Sequence, residues 1–127
     1  MAPTPRQLVE EILARWSGGE SLDPGLLSED VEWVNPDDAV ETGTRREHSG
    51  FGAAQESFRE GFQLVRFEIE RLETAGDAVG VRVVMHTVAR GSGMPVRNDL
   101  GYRFDFRDGR LARFEWSNDP EAFLPPS

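Results

Sequence analysis

The second half of this chain alternates apolar and polar residues over long stretches, and that pattern constrains the fold more than any other feature. Val79, Val81, Val83, Met85 and Thr87 alternate with Gly80, Arg82, Val84 and His86. Leu100, Tyr102, Phe104 and Phe106 alternate with Gly101, Arg103, Asp105 and Arg107, and Ala112, Phe114 and Trp116 mark a third run. A period of two with one apolar face describes strands of a sheet that is wet on one side. Asp108-Gly109 between the last two runs is a strong hairpin signal, because a type I′ turn needs positive φ at both positions. Gly76-Asp77 marks an earlier turn, and Val65, Phe67 and Ile69 alternate with Arg66, Glu68 and Glu70 before it. Residues 90–95 read as a loop.

The first half reads differently. Thr4-Pro5-Arg6-Gln7 is a helix start, with Thr4 as cap, Pro5 at the first helical position and Gln7 closing a capping box. Val9, Ile12, Leu13 and Trp16 then form one apolar stripe, and Gly18-Gly19 ends it. Asp23-Pro24 predicts a second, short helix through Leu27 by the same logic. Val31 to Asn35 reads as a strand stopped by Pro36, and residues 36–50 as polar and irregular. A third helix is expected from Ser49, its cap, with Phe51, Ala54, Phe58 and Phe62 on one face. Asp119-Pro120 opens a last helical turn carrying Phe123 and Leu124. Helices gathered early and strands gathered late argue for an α+β fold, in which a curved antiparallel sheet, a cone-like half barrel, packs against about three helices. Where helices cover only part of such a sheet, the open concavity becomes a pocket.

Length and charge narrow the function. The 127 residues suit one domain, with a core over about 5–124. With 23 acidic and 14 basic residues the formal charge is −9, which opposes binding to nucleic acid or to anionic membranes. Without cysteine there is no disulfide, thiolate metal site or cysteine nucleophile. No signal-peptide pattern and no long apolar run are visible, so a cytoplasmic protein is expected.

Three segments resemble the SnoaL-like proteins of the nuclear transport factor 2-like superfamily, and the resemblance spans roughly residues 5 to 124. They are Val31-Glu32-Trp33-Val34-Asn35-Pro36, then Gly43-Thr44-Arg45-Arg46-Glu47-His48-Ser49-Gly50, then Phe106 to Leu111 with Asp119 to Ala122. The resemblance implies a pocket fold that hosts isomerases, cyclases, hydrolases and non-catalytic binders, so it does not select an activity. In ketosteroid isomerase a catalytic Asp precedes the proline that ends the first strand; here Asn35 stands in the similar place. In limonene epoxide hydrolase an Asn there helps hold the attacking water, with an aromatic two residues earlier, and Trp33 and Asn35 resemble that pair. The hydrolase also needs a carboxylate where this chain carries Trp116, while Trp116-Ser117 is similar to a Trp-Ser of the isomerase. Neither catalytic set is complete.

The candidate catalytic residues are Asn35 as positioner of water or a carbonyl, Tyr102 as donor to a developing oxyanion, and His48 as proton carrier. Each also has a plain reading, as a paired core group or a loop residue. Trp33, Phe51, Met85, Phe104 and Trp116 are candidates for lining the pocket, or are ordinary core. Asp37, Asp38, Glu41 and Glu47 form an acidic loop. His48 and His86 are too isolated for a metal site, and no cofactor is expected. The expected function is a pocket for a small hydrophobic molecule, either a cofactor-free isomerase, cyclase or hydrolase or a non-catalytic ligand-binding or dimerisation module. A homodimer through the outer sheet face is expected, with Val84 and Val88 interrupting that polar surface.

Overall fold

The computed structural model describes residues 2–126, apart from the side chains of Gln63 and Leu64; Met1 and Ser127, the ends of the expected 1–127 domain, lie outside the described residues. Helix α1 (Pro5–Ser17) begins with the capping box that its sequence predicts. The Gln7 amide donates to Thr4 Oγ1 (3.2 Å), and the Thr4 amide donates to Gln7 Oε1 (2.9 Å). Its apolar stripe of Leu8, Val9, Ile12, Leu13 and Trp16 is buried.

The second expected helix is a single 3₁₀ turn, Pro24–Leu26, in which Asp23 makes no side-chain capping bond. Leu27 goes instead into strand β1 (Leu27–Asn35), where it pairs with Leu111. Among the described residues there are therefore two α-helices, not about three. The stretch expected to be irregular contains a short strand, β2 (Gly43–Arg46), paired antiparallel with the end of β1. Helix α2 (Glu47–Glu60) starts two residues before Ser49 and has no side-chain cap. Its first residue, Glu47, has φ 65°, a left-handed conformation that costs a non-glycine residue on the order of 1 kcal/mol.

Four long strands follow: β3 (Phe62–Ala75), β4 (Ala78–Ala89), β5 (Pro95–Arg107) and β6 (Arg110–Ser117). Asp108 and Gly109 join the last two with φ of 54° and 75°, as their hairpin signal requires. The strands form one curved, open sheet in the order β2-β1-β6-β5-β4-β3. Every neighbouring pair is antiparallel except β1 and β6, which run parallel, so the sheet is mixed and not wholly antiparallel. Parallel neighbours cannot share a hairpin; here the intervening chain crosses by α2 and returns through the meander of β3 to β6. A register shift between Ile69 and Arg71 interrupts β3, the kind of irregularity that bends a long strand.

The predicted alternation sets the register. Val81 pairs with Tyr102, which pairs with Trp116; Val79 pairs with Phe104, which pairs with Phe114, which in turn lies beside Trp33. These apolar rows occupy the concave face, against α1 and α2. The outer face carries Arg82 and Arg103, and there the chain end crosses the sheet. Asp119 Oδ1 accepts from the Glu121 amide (2.9 Å), and the segment turns without forming a helix. It lies so close that a Cβ on Gly80 would sit 1.9 Å from the Phe123 carbonyl oxygen, and one on Gly101 2.5 Å from that of Asp119. Glycine at both positions is what admits the backbone. Val84, expected to present an apolar outer surface, is fully buried within the single chain. No helix among the described residues is long and apolar enough to cross a membrane.

Candidate functional site

Between the concave face and the two helices lies a cavity of about 380 Å³. The sheet contributes Trp33, Asn35, Met85, Leu100, Tyr102, Phe114 and Trp116; α1 contributes Trp16, and α2 contributes Ala54, Gln55 and Phe58. Cross-strand pairing explains the juxtaposition. Tyr102 faces Trp116 on β6, and the parallel register that sets Trp33 beside Phe114 brings Asn35 level with Trp116. Edge and tilted ring contacts fill the floor: Trp33–Phe114 at 4.7 Å, Tyr102–Phe114 at 4.9 Å and Trp16–Phe114 at 5.1 Å between centroids. Such pairs hold one another in place beyond their area burial.

Two amides define the polarity of this space. Asn35 Oδ1 accepts from the Trp33 indole (2.9 Å) and from the Trp116 indole (2.8 Å). Gln55 Oε1 accepts from the Trp16 indole (2.9 Å) and from the Leu22 backbone amide (3.1 Å). An indole N–H can only donate, so the atom it meets must be the amide oxygen. The orientation of both amides is thereby fixed. Turning either would set N–H against N–H, at about 1–3 kcal/mol for each buried donor left unpaired. Among the described residues, neither amide's NH₂ group finds an acceptor, and none of their polar side-chain atoms is both sealed away and unpaired. Each NH₂ therefore keeps some accessible surface, and both residues line the cavity.

Tyr102 adds a third donor. Burial pushes its phenol well above the ordinary value, with no hydrogen bond contributing, so it stays protonated at neutral pH. Among the described residues the carboxylates that line the cavity, Glu20 and Glu41, are both exposed. Glu41 receives Arg45 Nε at 2.9 Å. Arg59 is tied to the Gly19 carbonyl (2.9 Å), and Asn118 donates to Asp38 (3.3 Å).

Of the residues singled out from sequence, Asn35, Tyr102, Trp33, Met85 and Trp116 come together in the lining. Phe51 and Phe104 are fully buried and belong to the core beneath, with Phe51 edge-on to Trp33 at 5.4 Å. His48 is not among the lining residues; it donates from Nε2 to the Ser28 carbonyl (3.0 Å), and its residue is exposed. His86 lies on the outer face against Glu68 Oε1 (3.1 Å). Gln55 was missed. Its signal was a Gln one position past Ala54, on the buried side of the third predicted helix. Among the described residues no three His, Asp or Glu side chains converge as metal ligands would.

The sequence matches the SnoaL-like domain family over residues 11–114. The chain belongs to the SnoaL-like family. Solved structures show the same fold. A putative SnoaL-like polyketide cyclase from Jannaschia sp. CCS1 shares 16% identity, with 96% of this chain and 93% of that one covered and a TM-score of 0.76. IdmH, a putative polyketide cyclase from Streptomyces antibioticus, shares 18% identity over 96% of each chain, with a TM-score of 0.73. A protein of unknown function from Burkholderia pseudomallei, described as nuclear transport factor 2-like, shares 21% over 91% of each chain, with a TM-score of 0.76. At these identities the likeness of this SnoaL-like chain to them is one of fold. No curated protein matches its sequence.

Proposed function

We propose that this SnoaL-like protein binds a flat, mostly apolar ring compound that carries oxygen acceptors. One observation carries the reading: an aromatic cavity whose inner polar groups, Asn35, Gln55 and Tyr102, are neutral and turn donors inward. Its volume lies within the range of small-molecule sites, and aromatic walls suit a planar guest. The putative polyketide cyclases among its structural relatives accord with an oxygenated ring compound. The proposed working form is a cytoplasmic homodimer, on the acidic, cysteine-free composition and the prevalence of two-fold dimers.

A second reading, cofactor-free catalysis, is favoured by the Tyr102 hydroxyl. A protonated, buried phenol with no hydrogen-bond partner among the described residues is suited to stabilise an oxygen that gains charge. Asn35 would hold the same oxygen or a water. The lining offers no interior carboxylate or histidine to lift a proton from carbon, so isomerisation of a ketosteroid is not expected.

Titrating the protein with planar ring ketones by calorimetry tests the binding reading. A Leu100→Trp variant, which fills the cavity, should abolish the heat while the chain stays folded; equal binding by both proteins would place the ligand elsewhere. Turnover of an unconjugated ketosteroid by the wild type would show that some group outside the interior supplies a base.

A further inference from the structure

The pinning of the two amides sets a polarity on the ligand, and each amide is pinned independently. Asn35 is held by two indoles from the sheet, whereas Gln55 is held by an indole of α1 and a backbone amide of the connection that follows it. All three tryptophans of the chain spend their N–H groups in this way. Gln55 is 5% exposed and lines the cavity, so its NH₂, with no acceptor among the described residues, is a nearly buried donor at the cavity wall. Asn35 presents the same group from the sheet side.

We propose that the cavity selects ligands bearing two acceptor oxygens, such as quinones, diketones and their enolates, with one oxygen met by the Asn35 NH₂ and the other by the Gln55 NH₂. The proposal rests on the binding reading above and specifies its substrate class. A ligand that offers only donors meets no acceptor from either amide, because both carbonyl oxygens are already engaged. The tryptophans act as positioning residues: they hold the amides in the orientation that reads the ligand.

Asn35→Asp and Gln55→Glu test this with little change of shape. A carboxylate can still accept the indole hydrogen bonds, but it turns a second acceptor into the cavity in place of a donor. The probes are 1,4-naphthoquinone, with two carbonyl oxygens, 1-tetralone, with one, and naphthalene, with none. The quinone suits this chain, which has no cysteine and whose 14 basic side chains are all arginine, leaving no thiol or lysine amine to be alkylated. Wild type should bind the quinone at least about ten-fold more tightly than naphthalene, as expected for two paired acceptors. Each variant should lose about ten-fold for the quinone while holding naphthalene within about two-fold. The tetralone should respond to one variant and not the other. Three indole N–H signals in a nitrogen-15 spectrum of each variant would verify that the pinning survives. Quinone and naphthalene binding equally, or both variants keeping the wild-type quinone affinity, would overturn the two-oxygen proposal and leave the pocket reading standing. If no probe binds, the pocket reading fails and this inference fails with it.

Discussion

The two faces of the same strands hold the molecule in opposite ways. On the concave side, Val79, Val81, Val83, Phe104 and Phe114 are at most 1% exposed and interlock with the helices. On the outer side, charged residues pair along the surface: Arg82 with Glu70 and Glu121, Arg103 with Asp105, and Arg97 with Asp99. The pairs are solvated, so their electrostatic gain is small and screened by salt. The stability of the sheet therefore resides in one face. The other face stays wet, and it gives the chain end a surface to lie on.

Truncation of a concave ring should show the largest difference. Phe114 touches the rings of Trp16, Trp33, Tyr102 and Phe104, so Phe114→Ala should cost about 3–5 kcal/mol in urea unfolding. Arg103→Ala, from the opposite face of the neighbouring strand, should leave the midpoint where it was. Similar costs for the two would break the comparison. Next comes Gly80→Ala, whose new methyl collides with the Phe123 backbone. The chain end must lift, at about 1–3 kcal/mol, the usual scale of overpacking. Faster amide exchange in residues 119–124 should accompany it, with ring-compound binding unchanged. Loss of binding would show that the outer segment and the cavity are coupled.

The smallest effect is the cleanest to assign. Tyr102 is the one tyrosine, and the chain has no cysteine or lysine. Burial raises its pKa in the folded state, so the native protein keeps a proton that the unfolded chain releases above about pH 10. Stability is thus fully present below that pH and falls as pH rises past it, by at most about 1.4 kcal/mol per pH unit. Tyr102→Phe should flatten that slope. An unchanged alkaline slope in the variant would mean that burial does not raise the pKa of the phenol in the folded state.

The same contrast between faces decides what was legible in the sequence. Strict alternation displayed which face each residue of β4, β5 and β6 takes, and so put Tyr102 and Trp116 on the same side; that they are direct partners comes from the pairing of the strands. The short strand β2 left no such trace, because Gly43-Thr44-Arg45-Arg46 is an edge segment with nothing apolar to bury. The parallel β1–β6 pair was equally silent, since chain-distant strands share no turn whose residues could announce it. At the site, sequence indicated that Asn35 and Tyr102 would face inward. It did not indicate which end of the amide would do so, because that is set by Trp116, 81 residues further along the chain. Phe51 and Phe104 show the limit of a stripe or an alternation: it separates inside from outside but does not separate core from cavity wall. The motif around His48 points it toward the site, yet in the first turn of α2 it bonds to Ser28 and does not line the cavity.

The spent indoles have an optical consequence. Tryptophan emission shifts in colour and yield with what its N–H donates to and what lies against its ring. In most proteins some tryptophans sit far from the ligand and dilute that response with constant background. Here all three, Trp16, Trp33 and Trp116, border the same cavity, and each is bonded to an amide that a guest would engage. A guest seated among them changes the surroundings of every emitting indole at once, so the protein's ultraviolet fluorescence can be followed, without any label, as a direct record of cavity occupancy.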